Sequence, residues 1–301
     1  MISKTTDRRG IIEMGVAMIL SGTIGFFVVE SGQNAYNVVF FRCLFGAVFL
    51  AAFCFARGFF KNTGLTRRTA IWVVLGGVSL VFNWVLLFAS YKAASISIST
   101  AIYHTQPFFL LIIGAFVLRE AISGDKILWI LLAFIGVLLT INLDLSSFSL
   151  GSDYVIGLCA AMGAAILYAI ATMITKELKQ IRPHLIALIQ VSIGIILLWP
   201  FASFVMLDDV STTQWGYLLV LGGIHTCFMY ILMYSAFQKL PTTIIAVMSF
   251  IYPAVAILVD YFIYDISLSI AQFLGIGMIL FSSFAVNQNL KSLSLFKNKG
   301  G

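Results

Sequence analysis

Residues Ser97–Phe109 read SISTAIYHTQPFF, and they put a histidine, a glutamine and a proline inside a strongly apolar chain. On a helical wheel of 3.6 residues per turn, Ser99, Thr100, Tyr103, His104, Gln106 and Pro107 fall on one half. Ile98, Ala101, Ile102 and Phe109 fall on the other, and Thr105 is the one polar exception. In a membrane, the polar half of such a helix faces the bundle interior or a water-filled cavity, because lipid offers those groups no partners. Pro107 has no N–H, so the carbonyl of Tyr103 loses its helical partner and the helix can kink there. The stretch SFIYPAV repeats the device: Pro253 does the same to the carbonyl of Ser249.

The rest of the chain supports a bilayer setting. Of its 301 residues, 61% are hydrophobic and only 10% charged, and its mean hydropathy is +1.04. At about 20 apolar residues per span, this length allows roughly ten helices and no sizeable extramembrane domain. Apolar runs between punctuation predict spans near 11–29, 38–56, 69–90, 97–117, 126–143, 154–175, 184–206, 214–236, 242–262 and 267–287. The first is expected to stay as an uncleaved helix, because it is long enough to span and no A-x-A site follows. With the N-terminus inside, 16 of the 18 Lys and Arg fall in inside segments. The outside linkers carry Lys92 against Glu30, Asp144, Asp153, Asp208, Asp209 and Asp265, and Arg42 lies within the second span. A miscounted helix would invert this pattern downstream, and it does not invert. The expectation is ten helices in a bacterial-type inner membrane, with both termini cytoplasmic and residues 291–301 as a basic tail.

A shift of 146 residues places Pro107 on Pro253 and Gly76-Gly77 on Gly222-Gly223, with Gly136 near Ser282. Shorter shifts bring Gly46 onto Gly194, with Arg42 opposite Gln190, and Gly15 onto Gly157. The matches keep helix order, which points to two five-helix copies, residues 1–145 and 146–290. Five is odd, so the copies enter the membrane from opposite sides. Such inverted repeats build many secondary transporters, whose substrate sites lie at the midplane between the copies.

At this point the chain resembles the drug/metabolite transporter superfamily and, within it, the ten-helix EamA family of permeases. The resemblance rests on the spans and copies, on Arg42 in VVFFRCLFGAVFL, on the prolines of YHTQPFF and SFIYPAV, and on LREAIS with Glu120. The second copy has YDISLS, with Asp265 at the acidic position. The resemblance implies an all-α polytopic bundle, with spans 1 to 4 and 6 to 9 around a central cavity and spans 5 and 10 peripheral. Relatives mostly move amino acids and related metabolites, often outward, and some import vitamins such as riboflavin.

The candidate pathway residues are His104, Gln106, Tyr103, Asn83, Trp84, His225, Tyr230, Tyr252 and Ser249, with Pro107, Pro253 and Arg42 as helix-break or gating residues. His104 and His225 are the titratable groups at mid-span, able to donate, accept or carry a proton. Asn83 is either a ligand group or interhelical glue. Tyr230 and Tyr234, with Phe250 and Tyr252, can form an aromatic wall, and tyrosine at depth needs a hydroxyl partner. Gly22 and Gly25, beside Ser21 and Thr23, read as close-packing positions of the first helix. Arg42 lies near the outer end of its helix, from which it can snorkel outward; the resemblance implies instead a structural or gating pair, with Glu30 or Asp260 as partner.

The cysteines Cys43, Cys54, Cys159 and Cys227 lack metal or disulfide spacing, so no cofactor or metal is expected. The cations sit in short linkers, so nucleic acid is not a partner; the partners are lipid and a small molecule, and a monomer fits. There is no GxxxxGK[ST] loop for ATP. HExxH, GxSxG and paired mid-membrane carboxylates are absent too, so an intramembrane enzyme is the distant alternative. Aromatic residues with neutral polar groups suit a small, largely neutral metabolite. An amino acid or relative is the first reading, and a riboflavin-type vitamin the second.

Overall fold

The computed structural model describes residues 7–94, 96–120, 123–140, 152–203, 210–264, 267–288 and 290. The tail 291–301, Asp144, Asp208, Asp209 and Asp265, and the side chains of Ser97, Ile98, Lys92 and Asp260, lie outside the described residues. Every regular element described is helical: α1 (Arg8–Glu30), α2 (Ala35–Ala56), α3 (Arg67–Ala93), α4 (Ile96–Tyr103), α5 (Gln106–Val117), α6 (Gly124–Thr140), α7 (Ser152–Glu177), α8 (Pro183–Leu198), α9 (Thr212–Gly222), α10 (Met229–Lys239), α11 (Thr242–Met248), α12 (Ile251–Tyr264) and α13 (Ile270–Asn287). The expected fourth and ninth spans are each two helices, α4–α5 and α11–α12. The eighth is α9 and α10 joined through one π-helical turn, Gly223–Phe228.

Nine segments among the described residues are long and apolar enough to cross a membrane. The fifth expected span, α6, is described over 17 residues. Polar caps start several of them. Asp7 accepts from Arg9 N at 2.9 Å, and Asn34 from Asn37 N at 3.0 Å. Thr66 with Thr69, Ser211 with Gln214 and Ser269 with Gln272 form capping boxes that satisfy exposed N–H groups where the chain enters lipid. Large side chains such as Phe55, Phe116 and Ile270, each at least 80% exposed, point outward. Such a belt is tolerable only against acyl chains. The protein is a multi-pass membrane protein.

Packing partners exchange between the halves. α1 packs on α9–α10 and on α12, whereas α7, its counterpart, packs on α3 and on α4–α5. α2 on α9 answers α8 on α3, and the pairs α2–α8 and α6–α13 map onto themselves. At the last pair the backbones touch. A Cβ on Gly136 would lie 2.7 Å from the Gly275 carbonyl oxygen, and one on Gly275 would lie 2.5 Å from that of Gly136.

Contacts between span ends also sort into two groups. Glu13 meets Lys239, Glu120 meets Lys176 and Thr242, and Trp129 meets Leu290, all at the end rich in Lys and Arg. Glu30 meets Tyr264, Asn37 meets Ser203, and Gln272 meets Thr140 at the opposite end. Each pair joins segments that the charge pattern places on one side, so the span order and its alternation hold.

Candidate functional site

Both broken helices open one turn before their prolines. α4 stops at Tyr103 and α5 starts at Gln106; α11 stops at Met248 and α12 starts at Ile251. The kink expected at Pro107 and Pro253 is therefore displaced toward the carbonyls whose helical N–H donor each proline removes. Tightened bonds, from Thr105 N to the Ile102 carbonyl at 2.9 Å and from Phe250 N to the Val247 carbonyl at 3.1 Å, mark the breaks.

The break in the first copy aims His104 at the second copy. The Tyr252 hydroxyl lies 3.2 Å from His104 Nδ1, with the rings edge to face at 5.2 Å. Tyr103 turns the other way. Asn83 Nδ2 donates to its hydroxyl at 3.3 Å and to the Ala164 carbonyl at 2.7 Å, so the amide ties α3 to α4 and α7. Tyr168 continues the row, with its ring 6.2 Å from that of Tyr103 and its hydroxyl 3.8 Å from Met233 Sδ. Asn83, Ser99, His104 and Gln106 are buried. Asn83 Oδ1, Ser99 Oγ and Gln106 Nε2 are buried atoms with no hydrogen-bond partner among the described residues. Unsatisfied polar atoms in a closed interior are costly unless a ligand or water meets them. Of the rest of the expected polar half, Pro107 is buried and Thr100 and Tyr103 are half-buried, while Ala101, placed on the lipid half, is buried as well.

A second cluster adjoins it through Trp84, the neighbour of Asn83. Arg42 Nε donates to Thr226 Oγ1 at 2.8 Å, and Nη2 donates to the His225 carbonyl at 3.1 Å. Its Cζ lies 5.7 Å from the ring centres of both Trp84 and Tyr230. The π turn makes this possible: it widens the helix, sends the Thr226 hydroxyl to the Leu221 carbonyl at 2.9 Å and leaves the His225 carbonyl facing α2. His225 Nε2 is 2.9 Å from the Thr23 hydroxyl, and its ring rests 4.9 Å from Phe27. Tyr234 donates to Gln190 Oε1 and meets Tyr230 edge to face, with ring centres 5.2 Å apart.

Several expectations are corrected here. Glu30 does not pair with Arg42; it accepts from Tyr264 at 3.0 Å, because Arg42 turns inward to the π turn. Phe250 leaves the proposed aromatic wall and packs toward Phe134 at 6.4 Å, so Tyr230–Tyr234 and Tyr252 belong to separate clusters. The Ser249 hydroxyl bonds the Ile245 carbonyl of its own helix at 2.8 Å. Gly25 meets no neighbouring atom within 4 Å, whereas Gly22 is pressed on α12. Sequence reasoning missed Tyr168 and Thr226. Only the rarity of a lone tyrosine at mid-span pointed to the first.

The basic end is closed. Lys239 Nζ lies 2.7 and 2.6 Å from the two oxygens of Glu13, which also takes Arg9 Nε at 2.9 Å. Beside it, Lys176 Nζ donates to the Leu240 carbonyl at 2.5 Å and lies 3.4 Å from Glu120. Glu120 accepts in turn from Thr242 N at 3.0 Å. Arg119, at φ 51°, adopts the left-handed conformation that caps α5 and swings Glu120 into this place. Between this closure and the aromatic row, a void of about 10 Å³ is lined by Tyr168, Thr172, Met233 and Tyr234. A larger cavity of about 560 Å³ lies off-centre between α3, α5 and α7, against Trp72, Ile113 and Met173. It touches none of the candidate site residues and is a lateral groove.

Tyr252→Phe removes the hydroxyl that positions His104 and leaves the ring packing intact. The expected loss is about 1 kcal/mol of substrate binding, roughly fivefold in affinity. Equal affinity for variant and wild type would separate His104 from the substrate.

The bundle of broken helices, its exchanged packing and its polar centre have counterparts among known proteins. The EamA-like transporter family matches the chain twice, over residues 8–142 and 155–288, which covers nearly all of it. This chain belongs to that family. A relative of Bacillus subtilis (strain 168), the uncharacterized transporter YxxF, is 32% identical over 92% of this chain and 89% of its own length. An S-adenosylmethionine uptake transporter of Rickettsia felis is 26% identical over 77% of this chain and 76% of its own. A solved crystal structure superposes with a TM-score of 0.82 at 16% identity, covering 96% of this chain and 99% of the other, and so shares the fold. The double match falls on the two halves whose packing partners exchange.

Proposed function

We propose that the protein is a secondary transporter that carries an amino acid or an amino-acid derivative with an apolar or aromatic part, by alternating access and without ATP. The carrying observation is the row of buried and half-buried side chains His104, Tyr103, Asn83, Trp84 and Tyr230. It offers aromatic faces and uncharged hydrogen-bonding groups, with several polar atoms left for a ligand. Such a lining orients a small, largely neutral molecule through a few hydrogen bonds. The two copies, residues 1–145 and 146–290, rock about this row, and Pro107 and Pro253 supply the breaks that let the half-helices move. The membrane is a bacterial-type inner membrane, with the basic end and the tail 291–301 in the cytoplasm. The relative named as an S-adenosylmethionine uptake transporter fits this reading, since that compound is an amino-acid derivative carrying a flat aromatic base.

The test is counterflow in proteoliposomes with labelled amino acids, S-adenosylmethionine and riboflavin. Exchange of an amino acid or of S-adenosylmethionine is expected. Counterflow of riboflavin alone would transfer the site to a vitamin, and the reading would fall.

A further inference from the structure

We infer that Arg42 is the anchor for a carboxylate group on the transported molecule. The inference deepens the reading above and rests on it for the rest of the substrate. Arg42 is only 9% exposed, so its charge is held inside the bundle. The described ion pairs all lie at the basic end, among Arg9, Glu13, Lys239, Glu120 and Lys176. Glu30, the nearest acidic candidate from sequence, is engaged by Tyr264. Arg42 thus has no carboxylate partner among the described residues. A buried cation left that way in a membrane marks a functional position by default, because structure alone gains nothing from keeping it charged.

The hydrogen bonds that Arg42 makes are those of a group being aimed. Its side edge, Nε with Nη2, is occupied by the Thr226 hydroxyl and the His225 carbonyl, both neutral acceptors on the π turn. The end edge, Nη1 with Nη2, keeps two parallel N–H groups. That fork matches the two oxygens of a carboxylate, which is the recognition in which arginine surpasses lysine. Trp84 and Tyr230 flank the guanidinium, each ring centre 5.7 Å from Cζ, and restrict its rotation. A second, independent observation lies in the same turn. His225 is 1% exposed, and its Nδ1 is a buried atom with no partner among the described residues. A carboxylate at Arg42 would bring its polar neighbours, such as an amino group, within reach of this nitrogen. The aromatic part would then follow Tyr230, Tyr168 and Tyr103 toward His104.

The test uses the purified full-length chain and matched probe pairs that differ in the carboxylate. These are phenylalanine with phenylalaninamide, and S-adenosylmethionine with decarboxylated S-adenosylmethionine; 3-phenylpropionate is added as a carboxylate without an amino group. Wild type is expected to prefer the carboxylate member at least about tenfold. Arg42→Gln should weaken that member by about thirtyfold and leave the carboxylate-free member unchanged or tighter. If Arg42→Gln does not fold, Arg42→Lys keeps the charge and loses the fork, and it should show a smaller loss confined to the carboxylate members. Absence of carboxylate preference in every pair, or its persistence in Arg42→Gln, overturns the assignment, as does an equal loss for both members of a pair. An Arg42-dependent preference seen with 3-phenylpropionate but with neither amino-acid probe keeps the anchor and removes the amino-acid reading.

Discussion

Glu13→Gln is expected to open the basic end of the molecule and to raise solvent access to the centre by one to two orders of magnitude. The turn between α10 and α11 is held from both sides. Lys239 reaches Glu13 of α1 at 2.6 Å, the Leu240 carbonyl takes Lys176 of α7 at 2.5 Å, and Thr242 N donates to Glu120 at 3.0 Å. Three positions of one turn, Lys239, Leu240 and Thr242, therefore fasten elements of both halves. Glu13 is the best placed to release them, since its side chain is only 9% exposed and the amide cannot hold two cations. Charge-assisted bonds at buried positions contribute about 1.5–3 kcal/mol each. Lys239, 26% exposed, recovers part of this from water. A net shift of about 1.5–2.5 kcal/mol remains, which moves a two-state equilibrium by roughly ten- to seventyfold. The reporter is Thr172→Cys in a background with Cys43, Cys54, Cys159 and Cys227 replaced by serine. Thr172 lines the small void just inside the closure. Labelling by a membrane-impermeant maleimide from the basic side should accelerate by that factor in Glu13→Gln, and an unchanged rate would show that the ion pairs do not hold the end shut.

What could be read in the sequence follows from how lipid treats each residue type. Span number and alternation were legible because each crossing needs a long apolar run and each exposed cation marks a linker side. The broken helices were legible too, through Pro107 and Pro253, although the breaks fall a turn earlier, where the carbonyl partners are lost. The π turn Gly223–Phe228 was not legible, since GIHTCF carries no residue that forbids an ordinary helix. The partner of Arg42 was hidden for the same reason: it is a threonine and a backbone carbonyl more than 180 positions away, made available only by that turn. Glu13, Lys176 and Lys239 sit near span ends and read as ordinary interfacial charges, whereas their value comes from meeting across the bundle. Asn83 reads in the sequence as a ligand group or as interhelical glue; its Nδ2 joins α3 to α4 and α7, while its Oδ1 has no partner among the described residues.

Gly22→Val is expected to cost the protein both stability and transport, and Gly25→Val on the same helix to cost neither. At Gly22 an added Cβ would lie 2.5 Å from Val255 Cβ, 2.6 Å from its Cγ1 and 2.8 Å from the carbonyl oxygen of Tyr252. Two of these are atoms of a branched side chain, which is stiff about its first torsion, and the third is backbone, so the strain cannot be released by turning a flexible tip. α1 must instead move away from α12. Overpacking of this kind costs about 1–3 kcal/mol, more where backbone is struck. The displaced element is the one that carries Tyr252, whose hydroxyl meets His104 at 3.2 Å, so the same movement pulls the centre apart. Gly22→Ala should give a smaller form of both effects. Gly25, one turn further on, faces open space with no atom within 4 Å, and a side chain there meets nothing inside the bundle. Thermal unfolding of the purified variants and counterflow in proteoliposomes read the two losses separately. Retained stability and rate in Gly22→Val would mean that α1 and α12 do not pack this closely, and that the distance between them does not set the geometry around His104.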